Sequence, residues 1–178
     1  MRLGFKGNLV IGTDITNIRR FLDPDKPDWR RLKRFARHFL LKDELVAIET
    51  RFPSFQLRLD NENERVPELS SHQCAQVSRA VAGRWAAKEA AKKAWGAHLI
   101  HWKALRVFHT TTFEPVIVCF TGDSQTSESD KITEQQGELT IAHDGDYATA
   151  TVLANKLHAD LIAEFVKIKR EAKSRLQA

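Results

Sequence analysis

The chain alternates between two patterns of hydrophobic and polar residues. Short apolar or β-branched runs indicate strands, and apolar residues that recur every three or four positions indicate amphipathic helices. Strands are predicted at residues 9–15, 104–107, 116–120, 139–143 and 147–154, with a tight turn at 144–146, and helices at 29–39, directly after Asp43, at 70–96 and at 155–178. This order of elements predicts an α+β domain in which helices pack an antiparallel sheet.

Residues at the predicted helix ends support these assignments. Asp28 is placed to cap the first helix, and Asp43 the second. Ser70 followed by Gln73 forms a capping-box pattern at the start of the long helix. Gly96 stands where that helix needs a C-terminal cap, because glycine adopts positive φ angles without a steric cost.

We expect one domain that spans residues 1–178. Residues 52–69 and 121–138 lose the periodicity, are crowded with polar side chains and are predicted to be insertions, the second of them mobile. No apolar run approaches the roughly 18 residues that a membrane-spanning helix needs. The first ten residues are too short for a signal or transit peptide. The chain also has no glycine-rich nucleotide loop.

The charge distribution adds a candidate binding surface. Residues 19–37 hold eight Lys or Arg against three Asp, an excess of five that equals the net charge of the whole chain. Such a patch attracts an acidic partner, which can be nucleic acid, an acidic protein or phosphates. Only two cysteines are present, Cys74 and Cys119, without a Cys-x-x-Cys partner, and this favours a reducing compartment.

Polar residues in apolar surroundings suggest a chemistry. Asp14 follows a strand-like run, Lys88, Glu89 and Lys93 lie on the long helix, and His143 lies at the hairpin. Two carboxylates brought together from distant positions are the minimal protein contribution to a Mg²⁺ site, because Mg²⁺ keeps several waters and also binds substrate phosphates. Neighbouring lysines would suit a pyrophosphate leaving group. These residues favour metal-assisted phosphoryl chemistry.

The same residues also permit structural roles. Lys88, Glu89 and Lys93 fall on the more polar side of the long helix, where Glu89 and Lys93 can form an ion pair across one turn. Asp14 can cap a helical turn, and His143 can serve as a structural hydrogen-bonding group. From the residues alone, both interpretations stay open.

Four segments of the chain resemble a known family. They are Ile11–Ile15 (IGTDI), Phe35–Leu40 (FARHFL) followed by Glu44 and Leu45, Gly83–Ala90 (GRWAAKEA), and Ile141–Asp144 (IAHD) followed by Tyr147 and Ala148. In this order they are similar to the holo-acyl-carrier-protein synthase type of 4′-phosphopantetheinyl transferase. The resemblance covers about residues 9 to 154 and extends to the fold of that family.

The resemblance implies a reaction and a set of site residues. The enzyme would move the phosphopantetheine arm of coenzyme A to a serine of an apo acyl carrier protein, with Mg²⁺, and release adenosine 3′,5′-bisphosphate. Glu89, or a metal-bound water that it orients, would take the serine proton. By position, Asp14 and Glu89 would bind the metal, Glu89, Lys93 and His143 would be catalytic, and Arg84, Lys88, Lys93, Pro115 and His143 would bind the cofactor.

The resemblance also implies partners. Arg20, Arg34 and His38 match the basic surface that grips an acidic acyl carrier protein, and a homotrimer with sites at subunit interfaces is expected. The role would be activation of a carrier for fatty acid biosynthesis, in the mitochondrial matrix or the cytoplasm. Secretion, a membrane partner and a nucleic acid partner are not expected. The extra segments resemble those of fungal organelle members. The alternative function is a basic RNA-binding module without catalysis, for which affinity should fall steeply with salt.

Overall fold

The structure is a computed structural model that describes residues 8–23, 26–53, 70–121 and 131–176. Its described part contains five strands and four α-helices: β1 Leu9–Asn17, α1 Trp29–Phe39, α2 Lys42–Arg51, α3 Ser71–Trp95, β2 Leu105–His109, β3 Pro115–Phe120, β4 Glu134–Asp144, β5 Tyr147–Asn155 and α4 Ala159–Arg175. The strands form one antiparallel sheet in the order β1-β5-β4-β3-β2. The predicted α+β class is confirmed.

Helix α3 lies against one face of the sheet and makes its most extensive contacts with β1 and β5. The alanines at 86, 87, 90 and 91 are completely buried there, and they pack against Ala150, Val152 and Leu139 of the sheet. A second core lies between the first half of α3 and helices α1 and α2. Small side chains on α3 therefore let the helix come close to the strand that carries Asp14.

The close approach is tightest at Gly12. A Cβ atom at this position would lie 2.0 Å from the carbonyl oxygen of Ala90 and 2.6 Å from the backbone nitrogen of Ala94. Neither backbone atom can move away without shifting the helix. Any side chain at residue 12 would therefore separate β1 from α3.

Gly12→Ala should destabilise the fold by about 3 kcal/mol or more, since overpacking in a close contact forces backbone shifts. Urea unfolding followed by circular dichroism measures this as a lower midpoint. Thr13→Ala is a control on the opposite face of the same strand and should cost less than about 1 kcal/mol. If the two variants unfolded at the same urea concentration, β1 and α3 could move apart without a loss of stability.

Several predicted helix ends are confirmed. The Asp28 side chain accepts from the Arg31 amide at 2.9 Å, and Ser70 and Gln73 form the capping box. Gly96 follows α3 with a φ of 110°. The cap assigned to Asp43 was wrong, because α2 begins at Lys42 with Leu41 in the cap position.

Three strand and helix boundaries also differ from prediction. Strand β1 continues to Asn17, so Asp14 lies inside the strand and not at its end. Residues 134–138, predicted to belong to an insertion, form the first half of β4 and pair with β3. The C-terminal helix starts at Ala159 because residue 155 still pairs with Leu9. The predicted insertions otherwise fall largely at 54–69 and 122–130, outside the described residues.

Candidate functional site

Asp14 forms the centre of the first half of the site. In β1 it pairs with Ala150, and its side chain is on the face of the sheet that α3 covers. The Lys93 ammonium donates to Asp14 Oδ1 at 2.8 Å and to the Thr13 carbonyl oxygen at 2.9 Å. The side chain of Asp14 is 14% exposed and that of Lys93 is 50% exposed. The pair therefore stands at the rim of the helix–sheet contact, where solvent can reach the lysine.

Glu89 is the second carboxylate of the site, one helical turn before Lys93. Burial raises the pKa of Glu89, and the negative charge of Asp14 raises it as well. The positive charges of Lys92, Lys93 and Arg20 lower it. The charges of Asp14, Lys92, Lys93 and Arg20 therefore all act on Glu89. The Glu89–Lys93 ion pair that the helical spacing allowed is not the contact observed, since Lys93 bonds to Asp14.

Arg20 links this region to the basic surface predicted at residues 19–37. It follows β1 in a 3-10 turn, and its guanidinium lies over the rings of Trp85 at 5.3 Å and Phe21 at 5.8 Å. Aromatic contact fixes the direction of a long side chain that would otherwise be mobile. A cation of the surface patch is thereby held beside Glu89.

Lys88 is not in this site. Its side chain is completely buried, and its ammonium donates to Glu44 Oε2 at 2.7 Å, to the Phe39 carbonyl at 2.8 Å and to the Trp102 carbonyl at 3.4 Å. Burial lowers the pKa of Lys88, and the Glu44 charge raises it. The expectation that Lys88 faces a phosphate and lies on a polar helix side is corrected, because all its donors are committed inside the protein.

Arg84 marks a second cationic region. Its Nε is buried and has no hydrogen-bond partner among the described residues, while Nη1 donates to the Ala80 carbonyl at 3.2 Å. Burial lowers the pKa of Arg84, the Glu44 charge raises it and the Arg51 charge lowers it. The pKa of His109 is lowered mainly by burial, and the charges of Arg84 and Arg51 lower it further. Cations held together against their own repulsion form a region of positive potential that suits an anion.

Pro115 adjoins this second region. It begins β3 and pairs with His109 of β2 at the edge of the sheet. The structure thus places Pro115 beside the histidine whose pKa responds to Arg84.

His143 lies on the N-terminal side of the carboxylates. Its Nε2 donates to the Arg79 carbonyl at 3.1 Å, and the ring lies against Gly83, where an added Cβ would be 3.1 Å from Nε2. His143 therefore contacts α3 at Gly83, which lies six residues, or about 9 Å along the helix axis, before Glu89.

The remaining predicted residues, Arg34 and His38, lie one turn apart on α1, and both are exposed. The buried positions of the same helix include Leu32 and Phe39, so the two polar residues occupy its outer side. Arg20 is exposed as well, so all three residues of the predicted carrier-binding surface face solvent.

The donor set fits Mg²⁺ with an anionic substrate. Hard carboxylate oxygens from Asp14 and Glu89 are the ligands that Mg²⁺ prefers, and the ion completes its shell with water and phosphate oxygens. No group of three or more His, Cys, Asp or Glu side chains that could enclose a metal is found within the described ranges. A site built on Asp14 and Glu89 would leave the remaining Mg²⁺ positions to water and substrate oxygens.

Sequence reasoning missed three residues that shape the site. Glu44 binds Lys88, and Arg51 and His109 surround Arg84. All three come from elements far from α3 in the chain, and no local pattern marks them as partners. In the part of the chain that the structure describes, no helix is long and apolar enough to cross a membrane.

Comparison with known proteins gives a family match. The family model of the 4′-phosphopantetheinyl transferase superfamily matches residues 10–152. The chain is 36% identical over 157 residues to the mitochondrial 4′-phosphopantetheinyl transferase B of Aspergillus fumigatus, with 82% of this chain and 93% of the relative covered.

Solved structures share the fold. The holo-ACP synthase of Plasmodium yoelii matches with a TM-score of 0.53 at 17% identity, covering 85% of this chain and 97% of that one. The holo-acyl-carrier-protein synthase of Neisseria meningitidis matches with a TM-score of 0.51 at 21% identity, covering 83% and 98%. At these identities the likeness concerns the fold alone.

Proposed function

Because the chain belongs to the 4′-phosphopantetheinyl transferase superfamily, we propose that it transfers the 4′-phosphopantetheine arm of coenzyme A to a serine of an apo acyl carrier protein. The other product is adenosine 3′,5′-bisphosphate. One observation carries the proposal: β1 and α3 bring Asp14 and Glu89 into one region with Lys93 and Arg20. Two carboxylates among cations are what a metal–pyrophosphate substrate requires.

In this proposal each residue acts on charge or position. Asp14 and Glu89 hold Mg²⁺, which neutralises charge on the pyrophosphate when it is bound. The serine oxygen forms a bond to the β-phosphorus, and the bond from that phosphorus to the bridging oxygen breaks, so the electron pair leaves with the nucleotide. Glu89, or a water that it orients, takes the serine proton. Lys93 stabilises the charge that develops on the leaving phosphate.

The second cationic region serves the nucleotide end of coenzyme A. Arg84, whose Nε has no partner among the described residues, supplies donors to a phosphate. His143, which contacts Gly83, and Pro115, which pairs with His109, also bind the cofactor. Lys93 also contacts the cofactor. Lys88 is left out of the binding set because its three hydrogen bonds fix it inside the protein.

Intact-protein mass spectrometry tests the reaction. An apo acyl carrier protein incubated with this protein, coenzyme A and Mg²⁺ should gain the mass of one phosphopantetheine arm. The gain should disappear when EDTA removes the metal and when the carrier serine is replaced by alanine. A failure to modify any of several carriers, while coenzyme A binds, would contradict the proposal.

Mg²⁺ binding should weaken as the solution is acidified. Burial raises the pKa of Glu89, so this carboxylate takes up a proton at a higher pH than an ordinary glutamate does. A protonated carboxyl group no longer binds the ion well. Titration calorimetry with coenzyme A present, over a pH series from neutral to mildly acidic, checks this. The decline should be absent in Glu89→Gln, and a flat profile in the unmodified protein would contradict the metal role.

A homotrimer is part of the proposal, and the sheet offers a surface for it. The face of β1 and β5 opposite α3 exposes five large apolar side chains: Leu9 45%, Ile11 67%, Ile15 65%, Tyr147 52% and Leu153 44%. A contiguous apolar patch of this kind usually marks an interface.

Ile11→Lys with Ile15→Lys should convert the trimer into monomers, since two ammonium groups at the centre of the patch cannot be desolvated without a large cost. Light scattering coupled to size exclusion measures the mass. Ile162→Lys on α4, where the side chain is 38% exposed, is the matched control and should leave the mass unchanged. An unaltered mass in the double variant would place the interface elsewhere.

The name of a relative supports the proposed partner and compartment. The Aspergillus fumigatus relative is named a mitochondrial enzyme, and we propose that this chain activates a mitochondrial carrier for fatty acid biosynthesis. Arg20, Arg34 and His38 are the proposed carrier-binding residues, because all three are exposed and basic and the charge of Arg20 acts on Glu89.

A further inference from the structure

A groove lies between the last helix and the segment that follows α3. It has a volume of about 530 Å³, and its apolar part is formed by Leu99, Ile100, Trp102, Phe165 and Ile168. Ile168 is 39% exposed, whereas Phe165 is buried beneath it. The groove therefore presents an apolar floor that is open to solvent.

The rim of the groove carries only one sign of charge. Its ionisable lining residues within the described ranges are three lysines and three histidines: His38, Lys92, His98, His101, Lys103 and Lys169. The outer half of α4 adds to this field, because residues 167–175 contain five Lys or Arg and one Glu. An apolar floor with a cationic rim complements an acidic helix that has an apolar edge.

Two rim residues connect the groove to the catalytic region. His38 belongs to the basic surface of α1, and Lys92 is three residues after Glu89 in α3, where its charge lowers the pKa of that carboxyl group. The Lys92 ammonium lies 3.7 Å from the ring centre of Trp102, which holds it at the border between the site and the groove. The groove therefore borders both α1 and the helix that carries Glu89.

The groove is held in shape by contacts on both sides of α4. Leu161 and Phe165 are buried in the core, and Lys169 donates to the His98 carbonyl at 3.1 Å. At the start of the helix, Asp160 accepts from the Ile132 amide at 3.2 Å. The superfamily match ends at residue 152, so α4 is an addition to the part of the chain that defines the family.

We propose that the groove between α4 and residues 98–103 is a second docking surface for the carrier protein, which places an acidic amphipathic helix in it. This inference rests on the proposed function, since the carrier is the protein that must approach Glu89. It assigns α4 a role in carrier specificity. Only a carrier protein that has an acidic helix with an apolar edge beside its serine would engage both α1 and α4. RNA is a poorer fit because Leu99, Ile100 and Ile168 on the floor offer its phosphates no hydrogen-bond partner.

Two alanines on α4 allow a matched test. Ala172 lines the groove and Ala163 does not, and nine residues of helix separate them by half a rotation. Both are exposed, so glutamate at either position should leave the fold intact. Ala172→Glu puts a carboxylate where the acidic helix should lie, and Ala163→Glu adds the same charge on the opposite side.

Binding of a fluorescently labelled apo carrier is measured by anisotropy, without catalysis. Ala172→Glu should raise the Kd on the order of tenfold, since like charges at an interface repel, and Ala163→Glu should change it little. The KM for the carrier should rise in parallel, while the KM for coenzyme A stays constant. Added salt should weaken binding in the unmodified protein more than in Ala172→Glu.

Three results of the binding measurement would overturn the inference. They are equal carrier affinity in the two variants, no carrier binding by the unmodified protein, or a single-stranded RNA probe that binds in the same groove more tightly than the carrier does. Failure of the proposed function looks different, because the carrier would then bind with sensitivity to Ala172→Glu but gain no phosphopantetheine mass. Transfer that is normal in Ala172→Glu, with unchanged KM, would leave the function standing and remove only the groove.

Discussion

Replacing Glu89 with Gln should lower the rate of phosphopantetheine transfer by a factor on the order of 10³. The substitution keeps the size of the side chain and removes the negative charge that would bind Mg²⁺. Asp14→Asn should have a similar effect, and it should also release Lys93, because that ammonium loses its charged partner at 2.8 Å. Initial rates from mass spectrometry, at saturating coenzyme A and carrier, measure both variants.

The controls separate chemistry from folding. Glu134→Gln changes an exposed glutamate at the start of β4 and should leave the rate unchanged. Glu89→Gln should unfold at a temperature equal to or above that of the unmodified protein, since removing a partly buried charge relieves its desolvation. If the transfer rate of Glu89→Gln were within a few fold of that of the unmodified protein, the proposal that transfer takes place at this site would be contradicted.

Much of the fold could be predicted because its signals are local. Asp28, Ser70 and Gln73 cap helices through side chains that bond within three residues, and Gly96 ends α3 by its own backbone freedom. The boundary of β4 could not be seen locally. Residues 134–138 are polar except for Gly137, and they join the sheet through pairing with β3, which is a long-range contact.

The candidate site divides in the same way. Periodicity groups Lys88, Glu89 and Lys93 on one side of α3, but burial depends on what packs around the helix. Helices α1 and α2 meet at residues 40–41 and cover Lys88, while Glu89 and Lys93 remain at the rim of the sheet. Resemblance identified the carboxylates, and only the tertiary structure could distinguish neighbouring lysines by their partners.

Lys88→Met should destabilise the protein by about 3–5 kcal/mol, the usual cost of removing one partner of a buried ion pair. Glu44 would keep its charge with only the Leu41 amide at 2.7 Å and the Val107 amide at 3.0 Å as donors. The Phe39 carbonyl would also lose a donor. Urea unfolding measures the change, and Lys167→Met, an exposed lysine on α4, should alter stability by less than about 0.5 kcal/mol.

A double variant tests whether Lys88 and Glu44 act as a unit. Glu44→Gln alone leaves the buried Lys88 charge unpaired, whereas Lys88→Met with Glu44→Gln removes both charges. The double variant should therefore be about 1–3 kcal/mol more stable than the sum of the single changes predicts. Additive effects would mean that Lys88 and Glu44 are stabilised by separate groups.

The same variants decide between a structural and a cofactor-binding role for Lys88. If the lysine only joins α3 to the α1–α2 connection, the folded fraction of Lys88→Met should bind coenzyme A with nearly unchanged affinity. Calorimetry at low temperature, where the folded state is populated, measures this, with Arg84→Met as the variant expected to lose affinity. A folded Lys88→Met that no longer binds coenzyme A would show that Lys88 leaves Glu44 when the substrate enters. The buried ion pair would then belong only to the substrate-free enzyme.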